Sequence, residues 1–281
     1  MKVCVTGASG RAGRAVVADL LEHGHQVIAT DLVVPAPGAL GAAARFVRAD
    51  LTDFGQAVEV LDGAEAVVHL ANIPAPGLRA PAVTFTDNMT MNFNVFTAAA
   101  RARVSRVVWA SSETTLGLPF DVPPRYAPVD EDHYPFPTTT YALSKVASET
   151  VAREVAGWSG IPFVALRFSN ILGPADYQNF PSYWGDPQLR KWNLWSYIDE
   201  RDAAAAGRLS LTADISGSES FIIAAADTVM SRPSAELMAE VFPGVPLAGV
   251  TGNAALLSSA RAGTALGFTP QHSWRDYVAA R

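Results

Sequence analysis

The chain begins with a short apolar run that leads into a glycine-rich turn, Thr6-Gly7-Ala8-Ser9-Gly10-Arg11-Ala12-Gly13. Residues 2–6 predict a β-strand, and residues 14–23 after the turn have the pattern of an α-helix. The three glycines permit a tight turn, the close approach of a pyrophosphate and close packing of helix on sheet. The stretch therefore predicts a dinucleotide-binding loop whose phosphates meet the free N–H groups of the helix. The expected contact residues are Gly7, Ser9, Gly10, Arg11, Ala12 and Gly13.

Short β-branched runs and helical patterns alternate through the first two-thirds of the chain. Further strands are predicted at 26–30, 46–49, 66–70, 106–110 and 163–167, and further helices at 54–61, 88–103 and 138–157. Alternation at this spacing predicts an α/β fold with a doubly wound parallel sheet. Residues 1–170 are assigned to this sheet domain, and a returning strand is expected near 219–226. Residues 171–200 and 230–281 are assigned to a small C-terminal substrate lobe.

Composition and charge argue against several classes of function. The formal net charge is −6 and no run of Lys or Arg appears, so we expect no nucleic-acid partner. Apolar stretches such as 221–226 fall short of the ~20 residues that a membrane helix needs. We expect no signal peptide before the glycine turn, no intrachain disulfide for the single Cys4, and therefore a cytoplasmic protein. The five histidines are scattered, so no metal site is predicted.

Two further predicted strands end on acidic residues. Asp31 ends the second strand, where a carboxylate can accept both ribose hydroxyls of NAD and repel the 2′-phosphate of NADP. Asp31 could instead be a loop or cap residue, and Arg11 or Arg14 could contact a phosphate. Asp50 and Leu51 follow the third strand and could border the adenine, although Asp50 is equally suited to a turn.

Tyr141 and Lys145 are four residues apart on a predicted helix and therefore share a face. A phenol has a reference pKa near 10, but a nearby ammonium and a positive nicotinamide ring both favour the phenolate. Tyr141 is therefore the predicted general acid/base, and Lys145 could also hold the nicotinamide ribose. Ser112 follows the fifth strand at the carboxyl edge of the sheet, where its hydroxyl could hydrogen-bond the reacting oxygen.

Together these motifs resemble the extended short-chain dehydrogenase/reductase family, the branch that includes sugar epimerases and dehydratases. The matching segments are the 6–13 loop, Asp50-Leu51, His69-Leu70-Ala71, Asn88, Ser111-Ser112, Tyr141-x-x-x-Lys145, Leu166-Arg167 to Asn170, and Asp199-x-x-Asp202-Ala203. The resemblance implies a Rossmann fold, NAD as cofactor and Ser112, rather than Ser111, as the catalytic serine. It also implies a homodimer formed through the helices that contain Asn88 and Tyr141.

The resemblance assigns further residues to the two parts of the site. Beyond the loop, the cofactor would contact Asp31, Asp50, Leu51, Leu70, Ala71, Asn88, Tyr141, Lys145, Phe168 and Asn170. The substrate would contact Ser112, Glu113, Thr114, Tyr141, Asn170, Tyr177, Gln178, Trp184, Arg190 and Trp192. Trp184, Trp192 and Trp195 could form an aromatic floor for a sugar, or could simply pack the small lobe.

Departures from the family pattern narrow the expected chemistry. Family dehydratases have an Asp-Glu pair after the catalytic hydroxyl, whereas Glu113 is followed here by Thr114, so the base for water loss is missing. The short C-terminal part looks too small for a nucleotide sugar and more like that of the uronate dehydrogenases. Those enzymes place an arginine after the tyrosine that matches Tyr177, but Gln178 stands here, and Arg190 or Lys191 could replace its charge.

Three functions remain after these comparisons of residues. The first is an NAD-dependent dehydrogenase that acts on a small polyhydroxylated or cyclic substrate. The second is a sugar or nucleotide-sugar epimerase that oxidises and then reduces its substrate with bound NAD. The third is a non-enzymatic NAD sensor on the same fold, which the presence of Tyr141 and Lys145 disfavours.

Overall fold

The computed structural model describes residues 1–278, which form a central parallel sheet with helices on both faces. The sheet strands are β1 (Lys2–Thr6), β2 (Gln26–Asp31), β3 (Arg45–Arg48), β4 (Ala66–His69), β5 (Arg106–Ser112), β6 (Phe163–Phe168) and β9 (Ser218–Ile223). Two short strands, β7 (Ile171–Leu172) and β8 (Ile198–Asp199), pair separately. The seven-stranded order is β3-β2-β1-β4-β5-β6-β9, and every pairing is parallel. Because the order reverses between β1 and β4, a crevice opens there at the carboxyl ends of the strands.

The helices cover both faces of the sheet because alternate strand residues point to opposite sides. They are α1 (Arg11–Glu22), α2 (Phe54–Val60), α3 (Pro81–Ala102), α4 (Thr140–Ser159), α5 (Pro174–Tyr177), α6 (Glu200–Ser210), α7 (Ser234–Val241) and α8 (Ala260–Leu266). Val3 and Val5 join the core under α1, α6 and α8, whereas Cys4 joins the core under α2, α3 and α4. The predicted doubly wound α/β fold is therefore confirmed.

Helix α3 begins earlier than its sequence pattern predicted. The prediction placed its start at residue 88, but the helix starts at Pro81, whose fixed φ suits a first helical position and whose missing N–H costs nothing there. The extra turns place residues 81–87 beside the crevice. Val83 and Asp87 line the cavity that lies there.

A third core lies at the carboxyl edge of the sheet and joins segments that are distant in sequence. It includes Tyr177, Trp195 and Trp274 together with Phe120 and Val129. The last two belong to the stretch 119–137, whose six prolines predict a surface loop, and that prediction is wrong for its buried part. Proline prevents regular strand pairing but not burial, and the backbone N–H of Val129 still donates to the carbonyl of Leu256 at 2.8 Å.

The C-terminal segment contributes to two of these cores. Leu256 and Leu257 pack in the third core, whereas Ala262, Leu266 and Phe268 pack against the sheet with α1 and α6. The hydrophobic cores therefore combine residues from both sides of position 170. The division of the chain into two domains at that position stays a prediction. Within residues 1–278 no helix is long and apolar enough to cross a membrane.

Gly13→Ala should destabilise the fold. A Cβ at Gly13 would lie 2.1 Å from the carbonyl oxygen of Gly7, so backbone must move, and we expect the free energy of unfolding to fall by about 1–3 kcal/mol. Gly157→Ala in α4 is the control, because nothing lies within 4 Å of its Cβ position. The free energy of unfolding of this variant should rise by about 0.5–1 kcal/mol. Urea denaturation of both variants measures the difference. Equal stability of Gly13→Ala and wild type would contradict the packing described.

Candidate active site

One cavity of about 1180 Å³ lies in the crevice and is lined from the carboxyl ends of six strands. Single-ligand pockets usually measure about 300–1,000 Å³, so this one has room for a dinucleotide and a second molecule. Most of the predicted site residues line it: Gly7, Gly10, Arg11, Ala12, Gly13, Asp31, Asp50, Leu51, Leu70, Ala71, Ser112, Glu113, Thr114, Tyr141, Lys145, Phe168, Asn170 and Trp192.

The glycine loop passes directly over the end of β4. Gly7 has φ +67°, and a Cβ there would lie 2.6 Å from the backbone nitrogen of Ala71. Thr6 joins the two segments, because its Oγ1 accepts hydrogen bonds from the N–H groups of Leu70 and Ala71 at 3.1 and 3.2 Å. The start of α1 and residues 70–71 therefore form one continuous wall of the cavity.

Asp31 presents a carboxylate to the cavity and is held by two backbone donors. Its oxygens accept from the N–H groups of Ser9 at 2.9 Å and Val33 at 3.0 Å. The Ser9 hydroxyl donates to the carbonyl of Val33 at 2.6 Å, so Ser9 orients the Asp31 loop and does not line the cavity. Asp50 accepts from the N–H of Thr52 at 2.9 Å in a turn and also lines the cavity, so its contact with the adenine stays a prediction.

Arg11 connects the glycine loop to the C-terminal part of the chain. Its guanidinium forms an ion pair with Asp176 of α5 and lies 3.8 Å from the carboxylate of Glu200 at the start of α6. The side chain remains 42% exposed at the edge of the cavity. Arg11 can therefore reach a phosphate only by giving up part of these ion pairs.

Ser112, Tyr141 and Lys145 meet along one wall of the cavity. Ser112 ends β5, and its Oγ accepts from the backbone N–H of Thr114 at 3.2 Å. Tyr141 lies in the first turn of α4 and Lys145 one turn further, where its Nζ donates to the carbonyl of Ala110 at 2.8 Å. The neighbouring Ser111 instead donates to Glu149 at 2.6 Å, which leaves Ser112 as the serine that is not tied to a carboxylate.

Burial controls the protonation of these groups. It raises the pKa of Tyr141 to about 12, although a hydrogen bond with Ser112 opposes the change. It also lowers the pKa of Lys145 to about 7, against the attraction of the Glu149 carboxylate. The sequence-based expectation that a nearby ammonium lowers the pKa of Tyr141 does not hold for the protein groups alone. The Lys145 Nζ lies 5.6 Å from the centre of the phenol ring, and desolvation is the larger effect.

Glu113 is a buried carboxylate on the cavity wall. It accepts hydrogen bonds from the Ser169 hydroxyl at 2.6 Å and the Asn193 amide at 3.1 Å. Burial raises its pKa to about 7, while these donors and the positive charge of Arg190 act in the opposite direction. Glu113 is thus a fixed hydrogen-bond acceptor beside Ser112.

Several predicted site residues do not line the cavity. Asn88 is buried, and its side-chain amide binds the backbone of Ile73 twice. Its Oδ1 accepts from the Ile73 N–H at 2.7 Å and its Nδ2 donates to the Ile73 carbonyl at 3.1 Å, so it supports the cavity wall. Tyr177 is fully buried and donates to Asp199, and Gln178 is exposed. Arg190 is buried outside the cavity lining.

The three tryptophans divide between the two roles considered for them. Only Trp192 lines the cavity. Trp184 packs on Trp274, with ring centres 5.3 Å apart, and Trp195 is fully buried in the third core. An aromatic floor of three rings is therefore wrong, and one ring faces the cavity.

A buried polar network behind the wall escaped the sequence analysis. His69 contacts Thr6 at 2.6 Å and Asn92 at 2.9 Å, and the Asn92 amide donates to Ser148 at 2.7 Å. Because Thr6 Oγ1 already accepts two N–H groups, its proton goes to His69 Nδ1, and His69 Nε2 donates to Asn92. Burial lowers the pKa of His69 to about 3, so the ring is neutral. The four-residue spacing from Asn88 to Asn92 was the available signal, since it places both amides on one face of α3.

The segment that follows β4 was also missed. Ile73 to Pro76 and Arg79 line the cavity, although the region has no helical or strand pattern. Its two prolines and Gly77 predict only a loop. Within residues 1–278 no group of three or more His, Cys, Asp or Glu side chains is placed to hold a metal ion.

Several known proteins resemble this chain in sequence or in structure. The UDP-glucose 4-epimerase of Corynebacterium glutamicum is 28% identical over 178 residues, which are 62% of this chain and 52% of that enzyme. This chain thus spans about half the length of the curated relatives it matches. A crystal structure of a UDP-galactose 4-epimerase is 26% identical with a TM-score of 0.73, and the match covers 97% of this chain and 94% of that one.

A mutated uronate dehydrogenase shares the fold, with 21% identity, a TM-score of 0.71, and coverage of 98% of this chain and 83% of that one. The length of the lobe does not separate these classes, because the epimerase structure is matched over nearly its whole length. The size of the lobe therefore gives no reason to exclude a nucleotide sugar. Residues 3–184 match the NAD dependent epimerase/dehydratase family. With more than half of its length matched, the chain belongs to that family of extended short-chain dehydrogenases/reductases.

Proposed function

We propose that the protein is an NAD-dependent oxidoreductase that moves a hydride between a hydroxyl-bearing carbon of a small sugar-like substrate and the nicotinamide ring. The observation behind this proposal is the shared cavity, which has the glycine loop and Asp31 at one end and Ser112, Tyr141 and Lys145 at the other. In this proposal, cofactor binding and substrate binding are assigned to the two predicted domains. Residues 1–170 hold the cofactor, and the lobe of residues 171–200 and 230–281 completes the substrate end through Trp192.

The residues at the loop end fit NAD. Gly7 and Gly13 let the loop turn tightly over the end of β4, because a Cβ at either position would collide with backbone. The first turn of α1 is thereby placed at the cavity, where its free N–H groups suit a pyrophosphate. Asp31 supplies a carboxylate for the ribose hydroxyls. NAD bound there supplies the hydride acceptor, or the donor in reverse, together with a positive ring charge that favours the Tyr141 phenolate. The single thiol, Cys4, is buried and unreactive, which suits the proposed cytoplasmic location.

At the substrate end of the cavity, the side chains transfer one proton to or from the substrate. Ser112 and Tyr141 hydrogen-bond the substrate oxygen, and Tyr141 takes its proton as the carbon is oxidised or returns it during reduction. The raised pKa keeps the phenol protonated, which is the form needed to reduce a carbonyl. A protonated Lys145, whose Nζ lies 5.6 Å from the centre of the phenol ring, would add to the stabilisation that the nicotinamide charge gives to the phenolate.

A dehydrogenase is the first form of this proposal, and an epimerase is the second. The similarity to UDP-sugar epimerases favours the second. Thr114, which stands where family dehydratases have a glutamate, disfavours a dehydratase. A dehydrogenase accumulates NADH with its substrate, and an epimerase does not. A screen for NADH across free sugars, sugar acids, cyclic alcohols and nucleotide sugars separates them. Micromolar affinity for UDP or TDP would place the epimerase first.

Tyr141→Phe should nearly abolish turnover and leave cofactor binding intact. The substitution keeps the ring but removes the proton-transfer group, which is worth about 100- to 10,000-fold in rate. Tyr134→Phe is the matched control, because Tyr134 is 42% exposed and lies outside the cavity lining. Turnover is measured by NADH formation and NAD affinity by fluorescence titration. Normal turnover by Tyr141→Phe would overturn the mechanism.

Asp31→Ala should relax a preference for NAD over NADP. In the wild type a 2′-phosphate would meet the Asp31 carboxylate, so the ratio of kcat/KM values for the two cofactors should fall by about tenfold or more in the variant. Asp62→Ala removes an exposed carboxylate elsewhere and should leave the ratio unchanged. A wild-type preference for NADP would refute the role given to Asp31.

The proposed homodimer would form through the outer faces of α3 and α4. These helices pack on each other and expose Phe93, Leu143 and Trp158, which are 49%, 45% and 68% accessible. A two-fold pairing of the two helices would bury these side chains against their copies.

Phe93→Glu should convert the dimer to a monomer, because it places a charge at the centre of the proposed interface. Phe54→Glu is the control, since Phe54 is similarly exposed at 42% but lies on α2. Light scattering after size exclusion gives both masses. A monomeric wild type, or a Phe93→Glu variant that remains dimeric, would exclude this interface.

A further inference from the structure

The substrate end of the cavity contains a buried pair of opposite charges that are not in direct contact. Glu113 is 3% exposed and lines the cavity, and Arg190 is 8% exposed and does not. Among the described residues, Arg190 has no carboxylate within 4 Å, although its charge is felt by Glu113. The positions of these two groups relative to the cavity determine which of the two charges lies closer to a bound substrate.

Arg190 lies behind two residues that line the cavity. With the Asn170 amide oxygen turned toward the guanidinium, that oxygen accepts from both Nη atoms at 3.2 Å. The guanidinium also lies 5.0 Å from the ring centre of Trp192, and its Nη2 donates to the carbonyl of Ser196 at 3.3 Å. The two Nη atoms therefore contact Asn170 and Ser196 and the guanidinium faces Trp192, whereas its buried Nε has no hydrogen-bond partner among the described residues.

Glu113, in contrast, is itself one of the residues that line the cavity. The Ser169 and Asn193 donors fix the carboxylate but do not neutralise it. Lys191, the other cation considered for this region, is partly exposed and does not line the cavity. Lys145 does line it, but its Nζ is bound to the carbonyl of Ala110 beneath Tyr141.

We propose that this end of the cavity selects a neutral polyhydroxylated substrate against the corresponding sugar acid. Glu113 is the specificity-determining residue, because it accepts a hydrogen bond from a hydroxyl and repels a carboxylate. Arg190 is a positioning residue that orients Asn170 and Trp192 and does not contact the substrate. This inference rests on the proposed action on free sugars and deepens it.

The test compares neutral sugars with acids that differ from them by one carboxylate. Saturation-transfer NMR titrations of the protein with NADH bound would use D-galactose against D-galacturonate, and D-glucose against D-glucuronate. A pH of 8 keeps Glu113 mostly ionised, since its pKa is about 7. We expect the acid to bind about tenfold or more weakly than the neutral sugar, and Glu113→Gln to bring the two affinities close together.

A second pair of variants examines Arg190. Arg190→Met should weaken both ligands alike, because it loosens Asn170 and Trp192, whereas loss of a carboxylate clamp would weaken the acid alone. Lys191→Met removes a cation from the same segment and should change neither affinity. Selective loss of acid binding in Arg190→Met would overturn the positioning role.

Turnover measured in parallel separates this inference from the proposed function. If the neutral sugar binds more tightly but is not oxidised, the proposed function fails and the inference stands. If the acid binds as tightly or more tightly and is oxidised, the inference fails and the proposed function stands. An unchanged affinity ratio in Glu113→Gln, or absence of binding by the neutral sugars, also counts against the inference.

Discussion

The site depends on a backbone crossing at the end of β1, where two segments approach more closely than any side chain allows. Gly7 lies against the backbone of residues 70–71, and Gly13 packs on the carbonyl of Gly7. This contact aligns the first turn of α1 with the crevice between β1 and β4. A single added carbon at either glycine would separate the helix from the sheet, so the packing of the core and the proposed phosphate binding depend on the same two glycines.

A hydrogen-bonded chain extends from that crossing to α4, the helix that contains Tyr141 and Lys145. Thr6 binds the N–H groups of residues 70–71 and His69, His69 binds Asn92 of α3, and Asn92 binds Ser148 of α4. Ser148 lies three residues beyond Lys145. The loop end and the Tyr141 end of the cavity are therefore joined by bonds through the interior, and each member of the chain satisfies a polar group that would be costly to bury alone.

Local patterns in the sequence were sufficient for the fold and for much of the proposed site. The positions of Gly7, Asp31 and Ser112 follow from being at strand ends, since parallel strands bring their carboxyl ends together. Tyr177 and Arg190 could not be placed in this way, because the lobe is irregular and its core joins residues as distant as 120 and 274. The orientation of these two side chains depends on contacts between residues far apart in the sequence, and the periodicity of apolar residues carries no information about such contacts.

The same limit explains the protonation of Tyr141. Spacing along α4 correctly brings Lys145 near the phenol, but it says nothing about how much water both groups lose. Burial then acts oppositely on the two, since it disfavours the charged form of each: the pKa of Tyr141 rises and that of Lys145 falls. The protein alone therefore holds a neutral phenol beside a readily deprotonated amine. In the proposed mechanism, a positive charge brought to this wall by a ligand would favour the phenolate, and the proposed acid–base role of Tyr141 would then be coupled to occupation of the cavity.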